Sequence, residues 1–197
     1  MKLRLMMVLF CLGLATGSAQ ATITTYSGYV NDPANAALVG SDLGLAQFVT
    51  DNDIANNVAL YKMLVPVSGT VDFVSKGFAA GGVDPYFTLF QGTGNSATFL
   101  GSNYDQAIST GGDFNLSYSL AAGTYTVALG TYANMSYAEN PGIGTLGDGF
   151  IGLGEPNSLG RFYYELAVNT PVPEPSTLLL LGAGLAGLVA YRKKMRR

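Results

Sequence analysis

The chain has 197 residues, 48% of them hydrophobic and only 12% charged, about half the ~25% charged share of ordinary globular domains. Its formal net charge of −3 hides a basic start and end around an acidic middle, where only Lys62, Lys76 and Arg161 face twelve carboxylates between Thr22 and Pro171. Such a surface repels nucleic acid, and a chain with no histidine and one cysteine builds neither Ser-His-Asp, Cys-His nor His-based zinc chemistry, nor an internal disulfide.

In chain order, residues 1–21 open with Lys2 and Arg4, continue through an apolar run from Leu5 to Ala15, and end in Gly-Ser-Ala-Gln-Ala. A positive start, a short apolar core and small residues at Ala19 and Ala21 predict a signal helix, cleaved after Ala21. The apolar run has about 11 residues, against the ~20 a spanning helix needs. Cys11 lies inside that run, so a lipoprotein anchor is not expected.

Residues 22–170 show no long helical period. Short alternating runs separated by turn residues predict an all-β fold, a two-sheet antiparallel β-sandwich of jelly-roll-like form with eight or nine strands. Candidate strands lie at 24–30, 43–49, 57–65, 70–78, 86–90 and 97–100, with Gly69, Gly81, Gly82, Gly92, Gly94, Gly111 and Gly112 marking turns. The clearest alternation places Phe114, Leu116, Tyr118 and Leu120 on one face. Tyr125, Val127 and Leu129 follow after Ala121-Ala122-Gly123, and the two runs read as a hairpin. Phe162, Tyr164, Leu166 and Val168 form a last inward face, and the Gly- and Pro-rich stretch 133–158 reads as a long loop beside it.

Within this region Asp51-Asn52-Asp53 gathers oxygen ligands of the kind Ca2+ takes. Asp51 and Asp53 are the one candidate metal site, although the loop glycine and distal glutamate of an EF-hand are missing and a solvated turn accounts for the same residues. No other cofactor is expected. Tyr26, Tyr29, Tyr104, Tyr132 and Tyr137 fall near loops or strand ends, where a flat platform for a sugar can form, although most aromatics sit on inward phases and are core. The absence of tryptophan weighs against a lectin. Asn115-Leu-Ser117 and Asn134-Met-Ser136 match the glycosylation sequon, a pattern short enough to arise by chance. A hydrolase would need two carboxyl groups facing each other ~5–9.5 Å apart, a geometry that sequence does not display.

The C-terminal segment 171–197 runs Pro171-Val-Pro-Glu-Pro-Ser-Thr177, then an apolar stretch, then Arg192-Lys-Lys-Met-Arg-Arg197. The prolines resist helix, so Val172, Pro173, Glu174 and Pro175 are expected as an extended, accessible strip. Residues 177–191 are expected as a short transmembrane helix. The 14 apolar residues from Leu178 reach about 21 Å at ~1.5 Å each, short of a ~30 Å hydrocarbon core unless flanking cations snorkel or the bilayer thins. By the positive-inside rule Arg192, Lys193, Lys194, Arg196 and Arg197 remain cytoplasmic, a stop that leaves the acidic domain outside.

This three-part tail resembles the PEP-CTERM sorting signal, with Pro173-Glu174-Pro175 as its motif; the same tail also resembles what is labelled an ice-binding-protein C-terminal domain, a label that does not imply ice binding. The resemblance implies processing by an exosortase, a membrane-embedded cysteine protease or transpeptidase, then delivery to the cell surface, often in bacteria that make exopolysaccharide. Asp51-Asn-Asp53, 83–90 and 120–127 also resemble the pre-peptidase C-terminal type of β-sandwich, a non-catalytic secreted module.

The chain therefore reads as a signal peptide (1–21), a β-sandwich ectodomain (22–170) and a sorting signal (171–197). The expected role is a non-catalytic protein of the envelope or exopolysaccharide matrix. A carbohydrate- or calcium-binding surface module and a carboxylate-dependent hydrolase are the alternatives.

Overall fold

The computed structural model describes residues 21–32, 34–35, 58–103, 112–131, 134–139, 142–151, 153, 160–173 and 177–195. Two units are distinguished, Thr22–Pro171 and a second that contains the C-terminal segment from Val172.

Among its described residues the first unit holds eight strands: β1 (Thr22–Tyr29), β2 (Ala59–Val65), β3 (Gly69–Lys76), β4 (Pro85–Gln91), β5 (Thr98–Ser102), β6 (Asn115–Leu120), β7 (Gly123–Thr131) and β8 (Tyr163–Thr170). They form two four-stranded sheets in the orders β1-β8-β3-β6 and β2-β7-β4-β5, every pair antiparallel. The two-sheet antiparallel sandwich expected from the alternating runs is what forms. The candidate strand at 43–49 lies outside the described residues.

Alternation explains the core. Phe114, Leu116 and Leu120 come from one sheet together with Phe73, Leu166 and Val168, and they meet Phe87, Leu89, Tyr125, Val127 and Leu129 from the other in one buried cluster. Phe87 lies at its centre, with ring centroids 4.8 Å from Phe73 and 5.4 Å from Phe114.

The expected hairpin between the 114–120 and 124–129 runs does not form. β6 pairs with β3 in one sheet, whereas β7 pairs with β2 and β4 in the other. Three Cα steps of about 3.8 Å separate Leu120 from Gly123, enough to cross between sheets stacked ~10 Å apart. The crossover is fastened locally: Ala122 donates its backbone N–H to Ser68 Oγ at 3.0 Å, and Tyr125 OH donates to the Ala121 carbonyl at 2.8 Å.

The stretch expected as a plain loop at 133–158 is structured where it is described. It contains two 3-10 turns, Tyr137–Glu139 and Leu146–Asp148, and bridges Thr98 to Thr145 and Ser136 to Phe150. Ala138, Leu146, Phe150 and Leu153 pack with Val58, Phe90, Ala97 and Ala128 in a second buried cluster. This segment covers the outer face of the β2-β7-β4-β5 sheet, so β4 and β7 are buried on both faces. Asn134, the acceptor of one sequon, is buried, and its side chain bonds to Thr131 and to the Ile151 carbonyl.

In the second unit a helix, α1, runs Thr177–Lys194. It passes beyond the expected end at Tyr191 and takes Arg192, Lys193 and Lys194 into its last turn. Lys and Arg are good helix formers, and cations are favoured at a helix C-terminus. Among the described residues no helix is long and apolar enough to cross a membrane. That departs from the transmembrane helix expected at 177–191, because the 18 residues of α1 include Arg192, Lys193 and Lys194 and its apolar part is correspondingly short.

Candidate functional site

Tyrosines link the two sheets along both open flanks of the sandwich. On one flank Tyr61 of β2 and Tyr164 of β8 share a hydrogen bond of 2.5 Å between hydroxyls, and Tyr26 of β1 packs on Tyr61 with ring centroids 4.4 Å apart. Burial pushes the Tyr164 phenol far above its ordinary pKa, with the Tyr61 hydrogen bond adding to the effect. Burial likewise raises Tyr26. On the other flank Tyr118 OH of β6 donates to the Ser102 carbonyl of β5 at 3.2 Å. Glycine makes room for each hydroxyl: a Cβ at Gly28 would lie 2.7 Å from Tyr164 Oη, and one at Gly101 would lie 2.5 Å from Tyr118 Oη.

A cleft of about 920 Å3 opens on the β5–β6 flank beside the covering segment 135–151. Its lining combines Phe99, Tyr118 and Tyr137 with Ser102, Ser136 and Glu139. Glu139 is half-buried in a 3-10 turn, and its carboxylate accepts hydrogen bonds from Tyr86 OH and Ser102 Oγ. Tyr86 comes from β4 and is itself buried, so the carboxylate is gripped by donors from β4 and β5. Tyr137 is half-exposed at the rim. Among the described residues Glu139 is the only carboxylate that lines the cleft, and these residues do not assemble the paired carboxylates of a glycosidase.

A separate acidic pair lies near the ends of β3, β4 and β6. Asp113 accepts from Ser75 Oγ at 3.0 Å and from the Phe78 backbone N–H at 3.2 Å. Burial, reinforced by the Asp113 charge, raises the neighbouring Asp84 above the usual carboxylate range. A raised folded-state pKa means the native state holds its proton longer than the unfolded chain. Stability is therefore lost as pH rises through the interval from the unfolded value of ~3.9 to the raised folded value, and the loss is complete above it. Asp84→Asn is thus expected to melt at a higher temperature than the parent near neutral pH. The gap should close towards about pH 3, where both unfold without that charge; melts followed by circular dichroism across pH check this.

The structure treats the residues expected from sequence unevenly. Val172 is half-buried and Pro173 exposed, both outside any helix or strand, whereas Glu174 and Pro175 lie outside the described residues. Arg192, Lys193 and Lys194 are exposed in the last turn of α1, and Arg196 and Arg197 lie outside. Ala21 is exposed, whereas Ala19, Asp51, Asp53, Tyr104 and Tyr132 are not described. Of the expected tyrosines, Tyr137 reaches the cleft, Tyr26 belongs to the opposite flank, and Tyr29 packs edge-on against Tyr163 at 5.7 Å. Among the described residues no group of three or more Cys, Asp or Glu side chains is arranged to hold a metal ion. Sequence reasoning missed Glu139, whose partners Tyr86 and Ser102 are 53 and 37 residues away.

Fold and tail together define a β-sandwich followed by a processing segment. Residues 171–197 match the PEP-CTERM protein-sorting motif, so the chain carries the sorting signal that its Pro-Glu-Pro triplet and basic end resemble. That motif denotes export, transient anchoring of the C-terminal tail in the membrane, and passage to the cell surface. No curated protein matches the chain. Among solved structures the chain is similar to the pre-peptidase C-terminal domain of collagenase from Bacillus anthracis, at 14% identity and a TM-score of 0.36, covering 74% of this chain and 87% of that one.

Proposed function

We propose that this protein is a non-catalytic, surface-sorted β-sandwich of the envelope or exopolysaccharide matrix, released from its membrane tail by an exosortase-type enzyme. The observation that carries the reading is the sorting motif at 171–197, which begins one residue after β8 ends at Thr170. Three residues separate Thr170 from Glu174, and two of them are proline, so the strip has no backbone donors at those positions and does not extend the sheet. The apolar part of α1, with Leu188, Val189 and Tyr191 exposed, supplies the temporary membrane handle, and the cations that follow form the stop. The jelly-roll-like form fits the strand orders β1-β8-β3-β6 and β2-β7-β4-β5, in which successive strands mostly alternate between sheets. In this reading the leader is removed after Ala21, one residue before β1 begins at Thr22.

The test is the mass of the exported chain in a host with an active exosortase, for the parent and for Glu174→Ala. The parent is expected to lose the segment beyond the motif, and the variant to retain it almost completely and stay with the membrane fraction. An uncut tail in both chains would make α1 a permanent anchor and overturn the processing step.

A further inference from the structure

We propose that the β5–β6 cleft is a binding site for a neutral oligosaccharide. The inference goes beyond the sorting reading, and its chemistry stands without it.

The lining selects among ligand classes. Among the described residues it contains no lysine or arginine, so an anionic ligand finds no counter-ion there and meets the Glu139 carboxylate. A wholly apolar ligand would strip water from that carboxylate and give nothing back. A carboxylate offers about four lone-pair sites. Tyr86 and Ser102 occupy two, which leaves two for neighbouring hydroxyls on one sugar ring. Because those two donors come from different strands, the acceptor is oriented before a ligand arrives, which lowers the ordering cost of binding. A pyranose also has an apolar C–H face, and Tyr137, half-exposed at the rim, and Phe99, half-buried on β5, are aromatic surfaces for it. At about 920 Å3 the cleft is near the top of the ~300–1,000 Å3 range of ligand sites, more than one sugar ring requires. One wall of the cleft is fixed: Tyr118 is bonded to the Ser102 carbonyl, and Gly101 leaves room for its hydroxyl.

The test uses the full chain purified in a detergent without a sugar headgroup. Calorimetric titration is run with maltohexaose, cellohexaose and mannohexaose, and with an alginate hexamer as the acidic comparison. At least one neutral hexamer is expected to bind, with the alginate hexamer at least about tenfold weaker. Glu139→Gln keeps an acceptor but removes the charge, and is expected to weaken neutral-sugar binding about tenfold. Tyr137→Ala is expected to weaken it to a similar degree while leaving the melting temperature unchanged, since the ring is half-exposed. Absence of neutral-sugar binding at millimolar concentration, preference for alginate, or unchanged affinity in Tyr137→Ala would each overturn the proposal. None of these readouts depends on whether the tail is cut, so a failed sorting experiment leaves this test intact.

Discussion

Replacing Phe87 with alanine is expected to lower the free energy of unfolding by about 3–5 kcal/mol, the range for removing a fully enclosed aromatic ring. The side chain has no solvent exposure and lies against three rings from the opposite sheet, Phe73 of β3, Tyr118 of β6 and Phe114 just before β6. Such a hole cannot close easily, because its walls are rings fixed to two hydrogen-bonded sheets. Stabilities of ordinary domains are about 5–15 kcal/mol, so the variant should unfold at much lower urea concentration. Tyr29→Ala is the matched control. That ring is 57% exposed on edge strand β1, and its loss should change stability by no more than about 0.5 kcal/mol. Urea titrations followed by far-ultraviolet circular dichroism compare the two.

The second large effect is expected at Phe150, in a stretch whose composition suggests an open loop. Phe150 is 1% exposed and meets Phe90 edge-on at 6.4 Å, on the inner side of the covering segment to which it belongs. Phe150→Ala should cost about 3 kcal/mol, whereas truncation of a loop residue at the surface costs about 0.5 kcal/mol or less. The damage should also be local at first. Opening of the cover exposes 134–153 to protease under conditions in which the inner core between the sheets still holds. Rapid nicking in that segment before global unfolding is the expected signature, and a melting curve and digest like the parent's would contradict the account.

These two phenylalanines mark the boundary of what the sequence discloses. The inner faces were legible because a strand buried on one side alternates with period two, as at Leu116 and Leu120 or at Tyr164, Leu166 and Val168. Alternation says which way a side chain points but not which strand is its neighbour. For that reason Ala121-Ala122-Gly123 resembled a hairpin turn although it carries the chain to the other sheet. The cover was obscured for a different reason. Its buried residues are seated by 3-10 turns and isolated bridges with no regular period, so glycines and prolines dominated the reading. A signal was nevertheless present in β4, where Tyr86, Phe87, Leu89 and Phe90 are apolar on both phases. Runs of that kind belong to strands enclosed on both sides, which requires something to lie over the outer face. The cleft was half legible. Tyr137 stood out as an aromatic near a turn, while Glu139 was one of thirteen acidic residues until folding brought Tyr86 and Ser102 to it. The sorting tail needed no tertiary reasoning, since its chemistry is confined to consecutive residues.

The position of β8 has a mechanical consequence. It is the strand that leads into the tail, and it lies in the interior of its sheet, paired along its whole length with β1 and over five residues with β3. Tension applied through the tail enters at Thr170 and runs along the strand, at right angles to antiparallel hydrogen bonds on both sides. The bonds are then loaded together in shear and do not peel one after another. A protein tethered by its C-terminus in flowing water or a swelling gel would be pulled at the point where its sheet resists best.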